Sequence, residues 1–193
     1  MPKITRFILM LASLAISGVT YASQNVGGIE ISYVPAFHSN TVKARSMVAQ
    51  IPAEARPLIS SIEIFEAPSS AGIDSIQLIK TRYSNGFQAN IDGAIVGAIS
   101  NIVSLPGVTN PVKSIVPSTV SGFEARLASF DANRYRGVIG GEILVIYDRV
   151  SGTLYQLQIF FAKKPSLNPF SSMSLDDEHV LAKSIIKSVQ LSQ

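Results

Sequence analysis

Three groups of residues in this chain have the types and spacing to do chemistry. The first is Asp176-Asp177-Glu178-His179, the only dense run of metal-ligand types. Consecutive residues on a helix point in different directions, so four in a row cannot converge on one ion. Acids in the first turn of a helix instead stabilise its positive end, by about 0.3–1 kcal/mol each. The run therefore reads as a capped helix start, and no metal is expected there. The second group is a serine nucleophile with His38 or His179 as its base. Such a site needs a nucleophile, a base and an orienting acid within hydrogen-bond reach. No serine sits in a Gly-x-Ser-x-Gly elbow. Gly137-x-x-Gly140-Gly141 leads into a strand pattern, whereas phosphate-cradling loops lead into a helix. The chain has no cysteine, which removes thiol nucleophiles, thiolate metal sites and redox pairs. No catalytic residue, cofactor or enzymatic activity is expected. The third group, Arg134, Tyr135 and Arg136, can recognise a surface. Arginine and tyrosine dominate interface hot spots, and loops between strands often carry function. These three are the candidate protein-binding loop, weighed against a simple solvated connection.

The first 22 residues address the protein. Lys3 and Arg6 precede an apolar run over 7–19, and Thr20-Tyr21-Ala22 supplies small residues for cleavage. That order is a secretory signal peptide. The run is short of the roughly 20 residues a bilayer span needs. Without a cysteine, the new N-terminus cannot carry a lipid. The expected product is an exported protein, periplasmic or secreted, with no stable membrane anchor. N-terminal sequencing of exported material is expected to begin at Ser23 or Gln24; a start near Met1 in the membrane fraction would overturn the reading. Cleavage lowers Lys plus Arg from 16 to 14 against 13 acids, so the formal charge falls from +3 to +1. A near-neutral surface gives no reason to expect nucleic acid as a partner.

Residues 23–193 are enough for a single α+β domain. Residues 23–28 are polar and glycine-rich, and are expected to be disordered. Ile29, Ile31 and Tyr33 predict a strand, and 37–57 reads as irregular apart from a weakly helical stretch over 41–50. Residues 61–66 (SIEIFE) and 74–83 (DSIQLIKTRY) predict a hairpin. Apolar residues at three- and four-residue steps predict a helix over 90–105, capped by Asn90. Gly93-x-x-x-Gly97 within it reads as a close approach of that helix to its sheet. Residues 108–117 read as a proline-punctuated connection and 120–130 as a strand. Residues 131–137 (DANRYRG) read as a polar loop. Residues 142–148 (EILVIYD) and 154–161 (LYQLQIFF) are the strongest strands, turned by 149–153. The first is apolar on both faces, which suits a central strand covered on both sides. The second puts Tyr155, Leu157, Ile159 and Phe161 on one face and Gln156 and Gln158 on the other. After a loop over 163–172, Ser174 and Asp177 have capping-box spacing for a last helix with Val180, Leu181, Ile185, Ile186 and Val189 as its stripe.

The order of these elements resembles a known family. A glycine-containing strand (SGFEA, 121–125), a long hairpin (141–161) and a terminal helix ending in AKSIIKSVQL together resemble the second half of the PsbP-like α/β/α sandwiches. The resemblance covers 120–191. The first half departs from the pattern: it lacks the usual opening hairpin and has no tryptophan. The resemblance implies an antiparallel sheet flanked by helices and a non-enzymatic binding or assembly role. The expected function is an exported non-catalytic protein that binds another protein or stabilises an assembly. The alternative is a carrier or sensor of a small apolar ligand held between the 90–105 helix and the sheet.

Overall fold

The computed structural model describes residues 23–70, 73–135, 137–163 and 175–192. The expected signal peptide, Arg136, the 164–172 loop and the Ser174 cap lie outside them. The element order is β1 (Gln24–Val26), β2 (Ile29–Ile31), β3 (His38–Ser39), α1 (Thr41–Gln50), β4 (Ile59–Ala67), β5 (Ser75–Tyr83), α2 (Ile91–Val103), β6 (Val108–Val120), β7 (Phe123–Arg134), β8 (Gly137–Asp148), β9 (Thr153–Lys163), α3 (Leu175–Lys187) and β10 (Gln190–Leu191).

Seven strands form one antiparallel sheet in the order β3-β4-β5-β9-β8-β7-β6. Alternation along each strand gives this sheet two faces. On one face a row of leucines runs in register, Leu78 beside Leu157 beside Leu144 beside Leu127. It packs with Ala182, Ile185 and Ile186 of α3 and with Ile29, Ile31 and Leu191 of a small sheet, β1-β2-β10. On the other face, Ile143, Val145 and Leu154 pack against Ile91, Ile95, Ile99 and Ile102 of α2. Helix α1 lies on the same face, over Ile64 and Ile79. The fold is therefore α+β, an antiparallel sheet with helices on both sides, and β8 is the doubly covered central strand its composition predicts. Gly140 and Gly141 belong to this packing. A Cβ on Gly141 would stand 2.5 Å from the Ile159 carbonyl and 2.7 Å from the Phe130 ring, and one on Gly140 would meet the Phe161 ring. The two faces of the strand are thus covered by two different aromatic rings.

Four expectations are corrected. Residues 24–26 are paired rather than disordered: β1 joins β2, and Val26 is buried. Residues 108–120 form the edge strand β6, in register with β7 from Val108 opposite Arg134 to Val120 opposite Phe123. Pro111 and Pro117 are tolerated because an edge strand has no ladder partner on its outer side. Residues 131–134 continue β7, so most of the expected loop is strand, and Tyr135 is a turn residue. Val180, expected in the α3 stripe, is exposed, and Ala182 takes its place in the core.

Candidate functional site

A cleft of about 1130 Å³ opens on the sheet face that carries α1 and α2. Helix α1 sits over β4 and α2 over β7 and β8, so the central strands β5 and β9 are left between them. Their exposed residues make the floor. Gln77 lies beside Gln158, and Ile79 beside Gln156. The polar face expected for 154–161 is therefore the floor of a cleft and not a solvent face. Met47, Ile51 and Pro52 line the α1 side; Ala94, Gly97, Ala98 and Ile102 line the α2 side. Tyr83 also lines the cleft; burial, with Tyr147 beside it, pushes its phenol above the ordinary tyrosine range.

The glycine pair of α2 corrects the sequence reading. A Cβ on Gly97 would meet nothing within 4 Å, and one on Gly93 would touch only the Asn90 cap. Neither glycine serves close packing on the sheet; Gly97 widens the cleft. The helix is held elsewhere. Asn90 Oδ1 accepts the Gly93 N–H at 2.9 Å, and Arg126 on β7 donates from Nε to Asp92 at 2.6 Å. The Asp92 and Glu124 carboxylates hold the Arg126 guanidinium even more firmly in its charged form.

The α1 wall is fastened by one carboxylate. Glu66 accepts from Asn40 Nδ2 and Lys43 Nζ at 2.7 Å each and from Gln77 Nε2 at 3.0 Å. Asn40 also caps α1 by accepting the Lys43 N–H. One side chain thus ties the helix start, the cleft wall and the cleft floor together. The Lys43 ammonium, then the Asn40 amide, hold the Glu66 carboxyl below the usual glutamate range. A depressed folded-state value contributes stability above the unfolded value, and that stability is lost as pH falls through the folded value. Glu66→Gln is therefore expected to flatten the loss of stability below about pH 4.3, followed by urea unfolding across acidic pH. An unchanged acid profile would remove Glu66 from this role.

On the opposite face His179 joins a buried charge cluster. Glu142, completely buried in β8, faces the Nδ1 of His179 at 2.7 Å. Ser129 Oγ donates to its other oxygen at 2.7 Å, and Lys183 Nζ lies 3.4 Å away. Asp131 faces the His179 Nε2 at 3.0 Å, and the Phe161 ring meets the imidazole edge-on at 4.8 Å. Ser129 and His179 thus bond the two oxygens of one carboxylate, and no hydrogen bond joins them to each other among the described residues. His179 belongs to this cluster as well as to the acidic helix start that the sequence assigns it. Among the described residues, no group of three or more His, Cys, Asp or Glu is arranged to hold a metal ion. The sequence signal was Glu142 itself: an acid heading a strand that is apolar on both faces requires a cationic partner.

Arg134 and Tyr135 fall on different structures. Arg134 ends β7, half-buried, with its side chain at the cleft. Tyr135 occupies the turn at φ 54° and is 75% exposed, and the Arg134 guanidinium lies 5.6 Å from the centre of its ring.

No family model matches the chain, and no curated protein matches it. It is similar to the solved structure of LpqN, involved in cell envelope biogenesis of Mycobacterium tuberculosis, at 13% identity and a TM-score of 0.45, over 92% of this chain and 88% of that one. It is also similar to PA94 of Pseudomonas aeruginosa, a protein of unknown function, at 15% identity and a TM-score of 0.35, over 54% of this chain and 69% of that one. No helix among the described residues is long and apolar enough to cross a membrane.

Proposed function

We propose that this is an exported, non-catalytic binding protein of PsbP-like architecture that holds a small amphiphilic molecule in the cleft between α1, α2 and the sheet. The observation that carries this reading is the cleft itself, about 1130 Å³ over the central strands β5 and β9. Ligand sites are concave, mostly apolar and supplied with a few placed polar groups. Here the helices supply the apolar walls, while Gln77, Gln156 and Gln158 supply amides on the floor. That mixture suits an amphiphile better than the purely apolar ligand the sequence suggested. The reading makes Gly97 a gate. Gly97→Ala is expected to stabilise the protein by about 1 kcal/mol, because alanine favours helix and the site has room. Gly97→Leu is expected to fold normally and fill the cleft. Native mass spectrometry of protein from the exported fraction is expected to show a bound small molecule that Gly97→Leu lacks. A ligand retained by Gly97→Leu would place binding elsewhere.

A second reading, capture of a protein partner, is supported by Tyr135, whose exposed ring is backed by Arg134. Tyr135→Ala is expected to weaken such capture and leave folding intact.

A further inference from the structure

We infer that the ligand of the cleft is a single-chain amphiphile with an acidic head group, and that Arg134 is the head group's counter-ion. This rests on the cleft reading above and adds the ligand's charge and its orientation.

Among the described residues, three charged side chains border the cleft: Lys43, Asp74 and Arg134. Two are already engaged. Lys43 is paired with Glu66 at 2.7 Å, and the Asp74 carboxylate accepts the Ala162 N–H. Arg134 makes no hydrogen bond and no ion pair among the described residues, and its Nε is enclosed without a partner. An enclosed donor left unpaired costs stability, most of all on a charged group. Guanidinium donors form a planar fork that matches carboxylate or phosphate oxygens. The enclosed Nε has no surface open to the cleft, so an oxyanion brought by the ligand would meet the two outer nitrogens of the fork, which have no partner among the described residues.

The surroundings hold the guanidinium in place. The Tyr135 ring lies 5.6 Å from it in a cation–π contact that leaves the edges of the guanidinium for hydrogen bonds. The ring is seated in turn by Gly107. A Cβ there would stand 2.6 Å from the ring, and the Tyr135 N–H donates to the Gly107 carbonyl at 3.3 Å. The left-handed backbone of Tyr135 (φ 54°) belongs to the tight connection between β7 and β8, which calls for a positive φ. The cation thus borders the cleft from the end of β7, and the small and apolar residues Ala94, Gly97, Ala98 and Met47 are left for a hydrocarbon chain.

The test titrates the full chain, stripped of any co-purified material, with four twelve-carbon probes below their micelle concentrations: dodecanoate, dodecyl phosphate, dodecanol and dodecyltrimethylammonium. The two acids are expected to bind at least tenfold more tightly than the alcohol or the cation, and their ranking tells a carboxylate head from a phosphate. Arg134→Gln is expected to reduce both acids to the level of the alcohol and to leave the alcohol unchanged. Arg134→Lys, which keeps the charge and loses the fork, is expected to retain an intermediate preference, and it serves as the test variant should the glutamine variant fail to fold. Equal binding of acid and alcohol by the wild type would overturn the charge assignment while leaving the cleft reading intact. So would an acid preference that survives in Arg134→Gln. Binding of every probe that is unaffected by Gly97→Leu, or no binding of any probe, would overturn the cleft reading and this inference with it.

Discussion

Replacing His179 with alanine is expected to lower the unfolding free energy by about 1–3 kcal/mol, because it leaves a buried carboxyl without its nearest hydrogen-bond partner. The stranded group is Glu142, which is fully enclosed between the sheet and α3. Ser129 still donates to it, and Lys183 remains at 3.4 Å, but the 2.7 Å partner is gone. Urea unfolding measures the loss. The double variant Glu142→Leu with His179→Leu is expected to recover most of it, since a packed apolar pair can replace a buried ion pair at little net cost. A loss under about 1 kcal/mol for His179→Ala would show that the cluster behaves like a surface pair.

Truncating Leu157 to alanine is expected to cost about 2–5 kcal/mol, the lost transfer energy plus that of the cavity left behind. Leu157 stands in the row between Leu78 and Leu144, in the cluster that also takes in Ala182 and Ile185 from α3. Backbone ladders hold the strands on both sides of it, so the sheet cannot close over the gap. Denaturant unfolding should show a lowered midpoint with an unchanged slope. A loss under about 1 kcal/mol would mean that the row is not packed as described.

What could be read in the sequence was local and periodic. The alternation over 154–161 identified β9, placed Tyr155, Leu157, Ile159 and Phe161 on one face, and placed its two glutamines on the other. The three- and four-residue spacing over 91–103, with Asn90 before it, identified α2 and its cap. Both patterns follow from the backbone repeat, which needs no knowledge of distant residues.

Whatever depended on distant partners was decided by the tertiary structure. Residues 24–26 are a strand because β2 lies beside them, and β2 also takes β10 from the other end of the chain. Residues 108–120 are a strand because β7 templates them, and their prolines obscured this, as did the bulge between Thr109 and Val112. Glu142 and His179 meet across 37 residues of chain, so neither signals the other in one dimension. The cleft is the furthest from the sequence of all. It exists because α1 and α2 settle over different strands of one face and leave the pair between them uncovered. Arg134 reaches it only because β7 runs four residues further than its composition predicts. Periodicity tells which side of an element is apolar. Only the packing of elements decides whether the other side meets water, a second element, or a space a ligand can fill.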